Sequence, residues 1–153
     1  MSRVLLIRPN DFIADAMVSL LVRLDLEAVR VVSPDELRRV ALLDVVGAVA
    51  STAATSAMSL SFRDGVAALR SRSMAIPLVV TTMMQDASRA ASFVLSDLAG
   101  LTPPGEPILL GPQALAHPAL GSPRGLLLLR KSDVEEAAEA TVQCLRRHFG
   151  RGG

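Results

Sequence analysis

Short continuous apolar runs alternate along the chain with longer segments that repeat their apolar residues at helical spacing. A continuous run bounded by charge, Pro or Gly is typical of a strand buried on both faces of a parallel sheet. Such runs occupy 3–7, 26–32, 45–50, 76–82, 107–111 and 126–130. The segments between them predict helices at 12–24, 33–43, 60–72, 86–98 and 132–149.

The alternation predicts the α/β class: a three-layer sandwich with a central, mostly parallel sheet of five or six strands. No repeat or boundary interrupts the pattern, so we expect a single domain over residues 1–150 and a short tail at 151–153. Ligand sites in open α/β sheets lie where strands end and helices begin. The loop after the first strand, Arg8–Asp11, is therefore the first place to look for chemistry.

Several residues indicate where helices begin and which side chains face inward. Ser33, Pro34 and Glu36 predict a capped helix start, and Ser132 with Glu135 predicts the capped start of one closing helix. A further short helical turn is expected at Gln113–His117, and Gly65 weakens the helix predicted at 60–72. Inward positions are predicted at Phe93, Val94 and Leu98 in the fourth helix, and at Val134, Ala138, Thr141, Leu145 and Phe149 in the closing helix.

Composition argues against several function classes. The net charge of +1 disfavours a basic nucleic-acid surface. The single cysteine, Cys144, excludes an internal disulfide and a Cys-rich metal site. The two histidines, His117 and His148, are far apart in sequence, and neither follows a strand end beside a nucleophile. We therefore expect no metal, no cofactor and no enzymatic activity.

Location and origin are also expected from composition. The N-terminal apolar run is shorter than the roughly 7–15 residues of a signal peptide. The uncharged stretch 45–62 contains too much Ser, Thr, Gly and Ala to span a membrane. We expect a cytoplasmic protein without membrane contact. Lys131 is the only lysine, and the abundance of Ala, Leu, Val and Arg indicates a GC-rich bacterial genome.

Polar side chains at the predicted strand ends form the candidate site. They are Arg8, Asn10 and Asp11 after the first strand, Ser51 and Thr52 after the third, Thr82 at the end of the fourth and Arg130 at the end of the last. Arg8 and Arg130 are candidates to bind a phosphate, a nucleotide or an acidic partner side chain, with donors from the loop 51–56. Alternatively, each arginine pairs with a local carboxylate such as Asp11 or Asp133.

The order and spacing of these elements resemble the receiver domain of bacterial response regulators, over most of the chain and by pattern rather than by one sharp motif. Segments 3–11 and 24–37 resemble the first strand with its acidic loop and the run into the second strand and helix. Segment 76–82 resembles the fourth strand ending in a hydroxyl, Thr82. Segment 125–137 resembles the fifth strand and last helix, with Arg130 at the lysine position. The resemblance implies a flavodoxin- or receiver-like sheet and phosphorylation of an aspartate beside Mg²⁺.

The residues that receivers need for this reaction are replaced. Arg8 and Pro9 stand at the positions of the acidic pair, and Asn10 and Asp11 follow one step too late. Segment 50–52, Ala-Ser-Thr, stands where the phospho-accepting aspartate belongs. Because Mg²⁺ prefers carboxylate oxygens and water, we expect that Mg²⁺-dependent phosphorylation is absent.

The interval from Thr82 to Arg130 is longer than in a receiver. Either 107–111 is the fifth strand, with Gly111 at the lysine position, or 126–130 is the fifth strand and an extra strand precedes it. We prefer the second assignment, because the capping box at Ser132 follows directly after Arg130.

The sequence thus predicts a non-catalytic, receiver-like signalling or scaffold module that acts through protein–protein contacts. The partner surface would comprise the last helix, the final strands and the insertion Pro112–Gly125, and the last helix and final strands would also serve a homodimer. Without a phosphoryl group, Thr82 is expected to bind backbone or solvent. Met83 and Met84 either fill the core or offer an adaptable partner surface. The alternative function is a small Rossmann-like domain that binds an anionic metabolite or nucleotide at the carboxyl ends of the strands.

Overall fold

The computed structural model describes residues 1–53 and 58–150. The strands are β1 (Arg3–Ile7), β2 (Glu27–Val31), β3 (Val45–Ser51), β4 (Leu78–Thr82), β5 (Glu106–Leu109) and β6 (Gly125–Arg130). They form one six-stranded sheet in the order β2-β1-β3-β4-β6-β5, and every neighbouring pair is parallel. We call the side where the strands finish the carboxyl end of the sheet, and the side where they begin the amino end.

Helices cover both faces of this sheet. They are α1 (Ala14–Arg23), α2 (Pro34–Arg39), α3 (Phe62–Arg72), α4 (Ala87–Asp97), α5 (Lys131–Glu136) and α6 (Glu139–Phe149), with a short 3₁₀ helix at Ala114–Ala116. Because side chains alternate along a strand, Val4 and Leu6 pack toward α1, α5 and α6 on one face. Leu5 and Ile7 pack toward α2, α3 and α4 on the other. The predicted three-layer α/β fold is confirmed.

The strand order is flavodoxin-like with one addition. Strands β2, β1, β3, β4 and β6 follow that order, and β5 adds an outer strand beside β6. The preferred assignment of 126–130 as the fifth strand is confirmed, and the run at 107–111 overlaps the additional strand. The order reverses between β1 and β3, so the loops after these two strands diverge and a crevice opens at the carboxyl end.

The predicted single closing helix is wrong, because the chain forms α5 and α6 instead. Ala137 separates them in a left-handed conformation with φ 47°. Two consecutive alanines carry no break signal, so the sequence alone favours a continuous helix. Ala138, predicted to face inward, is exposed at this break. The other predicted inward positions, Val134, Thr141, Leu145 and Phe149, are buried.

The predicted N-cap at Ser33 is confirmed, although the Glu36 side chain does not complete a capping box. The Ser33 hydroxyl accepts the amide of Glu36 at 3.1 Å, as predicted for the start of α2. Ser132 does not cap its helix, because Arg130 occupies the N-cap position and Asp133, three residues later, supplies the carboxylate. The Asp133 carboxylate accepts the backbone amide of Arg130 at 2.9 Å, and α5 therefore begins at Lys131.

Helix α4 and the residue that ends it bury a row of side chains spaced four apart: Ala90, Val94 and Leu98. Phe93 lies beside this row and is 39% exposed, so its predicted inward position is wrong. The predicted helical turn at Gln113–His117 is confirmed as the 3₁₀ helix. The loop predicted at 51–56 lies partly outside the described residues.

Candidate functional site

Arg8 closes the crevice between β1 and β3. It follows β1 directly and is 5% exposed. Its backbone is left-handed, with φ 53°, which costs about 1–3 kcal/mol in a residue that has a Cβ. Its side chain extends across the crevice to the segment that follows β3.

The Arg8 guanidinium donates hydrogen bonds to three backbone carbonyls. Nη1 donates to Ser51, Nη2 to Ala53 at 3.1 Å and Nε to Leu60 at 2.6 Å. No carboxylate of residues 1–53 and 58–150 forms an ion pair with it. Burial lowers the pKa of Arg8, and the negative charge of Asp97 partly opposes that shift. The predicted pairing of Arg8 with a local carboxylate such as Asp11 is therefore wrong, since carbonyl dipoles replace the carboxylate.

Gly65 of α3 lies against Arg8, with space for a Cβ at ordinary contact distance. A Cβ at this position would lie 3.4 Å from Cδ of Arg8 and 3.5 Å from Cγ2 of Ile7. The glycine that weakens the helix prediction therefore lies against the aliphatic part of the buried arginine. Helix α3 forms around it, and the Ser61 hydroxyl caps its start by accepting the amide of Asp64 at 3.0 Å.

Little space remains beside Arg8. The remaining cavity has a volume of about 10 Å³, which is close to the space of one water molecule. It is lined by Leu6, Ile7, Arg8, Pro9, Asn10, Ile13, Ala14, Met17, Val49, Ser51 and Thr81. Arg8, Asn10 and Ser51 are thus brought together as predicted, but around a volume too small for a phosphate.

Side-chain oxygens of buried residues form short turns after three of the strands. In each case the oxygen accepts the backbone amide two residues further on, in place of a backbone acceptor. The pairs are Asn10 with Phe12 (2.9 Å), Ser51 with Ala53 (3.1 Å) and Thr82 with Met84 (3.0 Å). The expectation that Thr82 binds backbone is confirmed. Each of these side chains therefore stabilises the loop in which it lies.

The two remaining candidates beside these turns lie outside the cavity. The amide of Thr52 donates to the Thr81 carbonyl at 3.0 Å, which extends the pairing of β3 with β4 by one residue. Asp11 is exposed at the start of the α1 segment. Neither residue lines the cavity beside Arg8.

Arg130 is held separately, at the end of β6. Its guanidinium binds both carboxylate oxygens of Asp133 at 3.1 Å and donates to the carbonyl of Gln85 at 3.1 Å. The hydrogen bond to Asp133 is the main cause that raises the pKa of Arg130. The predicted local carboxylate pairing is confirmed for this arginine.

The structure does not unite the two arginines in one pocket. Strands β3 and β4 separate β1 from β6, so the two strand ends are about 14 Å apart at the usual spacing of about 4.8 Å. Thr82 pairs in register with Arg130, whereas Ser51 and Asn10 lie with Arg8. The predicted site is therefore two distinct clusters, each occupied by its own hydrogen bonds.

Two buried polar side chains that the sequence reasoning missed lie at the amino end. Arg70 of α3 donates to the carbonyls of Ile76 at 2.7 Å and Pro123 at 3.1 Å, and its burial lowers its pKa. On the other face, His148 of α6 accepts the amide of Gly121 on Nδ1 at 2.9 Å, and its Nε2 lies 3.0 Å from the Leu78 carbonyl.

His148 is neutral in this network. Because Nδ1 accepts a hydrogen bond, the proton is on Nε2, which donates to the Leu78 carbonyl. Burial is the main cause that lowers its pKa to about 4. A signal for its burial exists in the sequence, since His148 follows Leu145 by three positions and Thr141 by seven on the apolar face of α6.

Other candidate chemistry is not assembled. Residues 1–53 and 58–150 contain no cluster of three His, Cys, Asp or Glu side chains that could share a metal ion. Cys144 is buried, and that burial raises the pKa of its thiol. His117 pairs with Glu106 through Nε2 at 3.1 Å. Over the described part of the chain, no helix has the length and apolar character needed to cross a membrane.

Fold and geometry together define a doubly wound, all-parallel α/β protein whose strand-end crevice is filled by its own arginine. No protein-family model, curated protein or solved structure matches this chain.

Proposed function

We propose that this protein is a non-catalytic, receiver-like module of bacterial signalling that acts through protein–protein contacts. The observation that carries the proposal is the Arg8 side chain in the crevice between β1 and β3. Folds with this strand order bind their ligands in that crevice. Here about 10 Å³ remains, and the guanidinium is bonded to the backbone around it.

Exposed apolar side chains at the carboxyl end of the sheet support a role in protein contacts. Phe12, in the segment after β1, is 60% exposed, and Met83 and Met84, after β4, are 39% and 41% exposed. Methionine adapts its shape to varied partners, and aromatic residues contribute strongly to interfaces. The last helix, the final strands and the insertion Pro112–Gly125 remain the partner surface predicted from the sequence.

A phosphorylation assay tests the proposal directly. Incubation of the folded protein with a small phosphodonor and Mg²⁺ is expected to leave its intact mass unchanged, because no carboxylate of residues 1–53 and 58–150 lines the crevice. A genuine receiver domain treated in parallel confirms that the donor is active. A stable aspartyl phosphate on this chain would overturn the proposal.

A ligand panel tests the alternative, a domain that binds an anionic metabolite or nucleotide. Such a ligand raises the free energy of unfolding by RT ln(1 + [L]/Kd), so thermal unfolding detects it. We expect no shift across nucleotides and sugar phosphates. A stabilising shift that disappears in Arg130→Met would favour the alternative, since Arg130 is a partly exposed arginine at a strand end.

A further inference from the structure

The two outer strands of the sheet differ in how open they are to a further strand. Strand β5 has four residues, and its Glu106 amide donates inward to the Arg124 carbonyl at 2.8 Å. Backbone groups alternate along a strand, so those of Pro107 and Leu109 face outward. Because proline has no amide, Leu109 presents the one outward amide of β5.

Strand β2 has no such protection. Its Glu27 amide donates inward to the Ser2 carbonyl at 3.0 Å, so the amides and carbonyls of Ala28 and Arg30 face outward. Neither proline nor glycine interrupts Glu27–Val31. Within residues 1–53 and 58–150, the strand order leaves the outer side of β2 without a neighbouring strand. An extended segment can therefore add to this edge through main-chain hydrogen bonds.

A groove flanks the open strand on each face of the sheet. On the α1 side, a groove of about 670 Å³ is lined in part by Val18, Val22 and Ala28, and Val22 is strongly exposed. On the α2 side, a groove of about 300 Å³ is lined in part by Val29 and Val40. Side chains of an added strand alternate between the two faces, so every second one would enter the larger groove on the α1 side.

Two exposed carboxylates mark the end of this edge where β2 begins. Asp25, in the turn before β2, lines the groove on the α1 side, and alternation directs the Glu27 side chain toward the opposite face. Neither forms an ion pair within residues 1–53 and 58–150. Toward the other end of β2, Arg30 is bound by Asp15 at 2.7 Å. An added strand with two consecutive basic residues would therefore meet one carboxylate on each face where β2 begins.

The β2 strand of a second copy fits this edge poorly. It would offer only Ala28 and Arg30 to the groove on the α1 side, where alanine is too short to fill the space and Arg30 is already held by Asp15. Strand β2 also carries no pair of consecutive basic residues for the two carboxylates. The edge therefore favours a segment of different sequence.

We propose that β2 binds an extended segment of a partner protein, which adds antiparallel to the edge of the sheet. Its apolar side chains enter the groove on the α1 side, and a pair of basic residues lies beside Asp25 and Glu27. The amides and carbonyls of Ala28 and Arg30 make the main-chain hydrogen bonds, and the antiparallel direction is the more stable one per residue. This surface differs from the last helix, the final strands and the insertion Pro112–Gly125, so the inference goes beyond the proposed function.

A synthetic peptide of alternating valine and threonine that ends in two lysines serves as the probe. Its lysines would lie opposite Glu27 and beside Asp25, and its valines opposite Ala28 and Arg30 on the α1 side. Fluorescence anisotropy should show a Kd of roughly 10–100 µM, because the contact is small and the peptide must be ordered on binding. A peptide of the same composition with the lysines at its amino end is the matched control. It should bind about tenfold more weakly, since its charges then lie away from the two carboxylates.

Variants of the protein test where the peptide binds. Ala28→Pro removes an outward amide of β2 and should weaken binding about tenfold or more, whereas Leu109→Pro removes the outward amide of β5 and should leave binding unchanged. The double variant Asp25→Asn with Glu27→Gln should lose the preference between the two peptides, and asparagine tolerates the left-handed backbone of Asp25, φ 59°. Circular dichroism and thermal unfolding confirm that the variants are folded. In hydrogen exchange, the amides of Ala28 and Arg30 should gain protection when the peptide is added.

Three results would overturn the inference: no binding of the peptide that ends in lysines up to about 1 mM, binding that survives Ala28→Pro, or equal binding of the two peptides to the unmodified chain. Sedimentation analysis tests the other occupant. A concentration-dependent dimer that is lost in Ala28→Pro would assign the edge to a second copy and overturn the inference as well. These failures are distinguishable from failure of the proposed function, because the phosphorylation assay and the ligand panel concern only the carboxyl end of the sheet.

Discussion

Buried side chains bind backbone groups at both ends of the sheet, but an α/β fold uses its two ends differently. At the carboxyl end, Arg8 connects β1 to the loop after β3; at the amino end, Arg70 and His148 hold the β5–β6 connection. Ligands of open α/β sheets bind at the carboxyl end. Because the same kind of bonding occurs where no ligand is expected, a buried arginine at the carboxyl end is not by itself evidence of a ligand site.

The two ends also differ in whether a change of pH can alter their hydrogen bonds. Arg8 keeps its charge because guanidinium does not lose its proton in proteins, even though burial lowers its pKa. His148 is neutral, and a proton on Nδ1 would break its hydrogen bond from Gly121. The hydrogen bonds of Arg8 at the carboxyl end should therefore persist at any moderate pH, whereas those of His148 at the amino end should weaken in acid.

The largest effect is expected from Arg8→Met, which keeps an unbranched apolar side chain but removes the donors. It leaves the carbonyls of Ser51, Ala53 and Leu60 without these hydrogen bonds. Charged hydrogen bonds contribute about 1.5–3 kcal/mol each, so even after partial replacement by water we expect a loss of about 4 kcal/mol. Urea unfolding at neutral pH measures it.

Arg8→Lys is the matched control for charge. A lysine keeps the positive charge but cannot reach three separated carbonyls with one nitrogen, so it should recover only part of the loss. Full recovery would show that charge rather than geometry matters at Arg8. An Arg8→Met variant as stable as the unmodified chain would remove the argument that Arg8 holds the carboxyl end together.

A somewhat smaller effect is expected from titration of His148. Its folded-state pKa of about 4 lies below the ordinary 6.5. Below pH 6.5 the unfolded chain therefore binds a proton that the folded chain does not, and the free energy of unfolding falls until about pH 4. At roughly 1.4 kcal/mol per pKa unit, the total loss is about 3 kcal/mol.

His148→Gln isolates this contribution, because glutamine can donate and accept hydrogen bonds without titrating. Urea midpoints at about pH 7 and about pH 4.5 should diverge much more in the unmodified chain than in the variant. Equal pH dependence in both proteins would contradict a buried neutral histidine at the amino end. It would also remove the contrast between the two ends.

Much of the fold is predictable from the sequence because fully buried strands leave a clear pattern. The continuous runs at 3–7, 45–50 and 126–130 are strands with nearly no exposed residue. The break at Ala137 is not predictable, since no Gly or Pro marks it. The helix start at Lys131 was missed for another reason: Ser132 and Asp133 are both capping residues, and local sequence does not decide between them.

The candidate site is predictable in position but not in bonding. Parallel strands bring Arg8, Asn10 and Ser51 to one end of the sheet, as the pattern implies. Whether Arg8 binds a ligand or the backbone depends on the left-handed turn at Arg8 and on the carbonyl of Leu60, 52 residues away. Such a contact has no local signal, whereas Asp133 lies three residues from Arg130, within the same turn of chain.

Arg130→Met should have a small effect and so sharpen the comparison between the two strand-end arginines. Its side chain is 36% exposed, and water can replace it as the donor to Gln85 and Asp133. Surface ion pairs contribute roughly 0–1 kcal/mol, so we expect a loss of about 1 kcal/mol or less. Urea unfolding beside Arg8→Met provides the measurement. A loss as large as that of Arg8→Met would show that the two clusters are equally important for stability.

Gly65→Ala should produce the smallest effect, and in the opposite direction. Alanine is favoured over glycine within a helix by about 1 kcal/mol, and the new Cβ would lie 3.4 Å from Cδ of Arg8, an ordinary contact. A slight adjustment of the arginine side chain reduces the gain, so we expect a net stabilisation of about 0.5 kcal/mol. Ala67→Gly in the same helix is the matched reverse change and should cost about 1 kcal/mol. Since α3 and Arg8 meet at this residue, a loss of stability in Gly65→Ala would show that the buried arginine has no room to move, and that the carboxyl end is packed more tightly than its hydrogen bonds alone require.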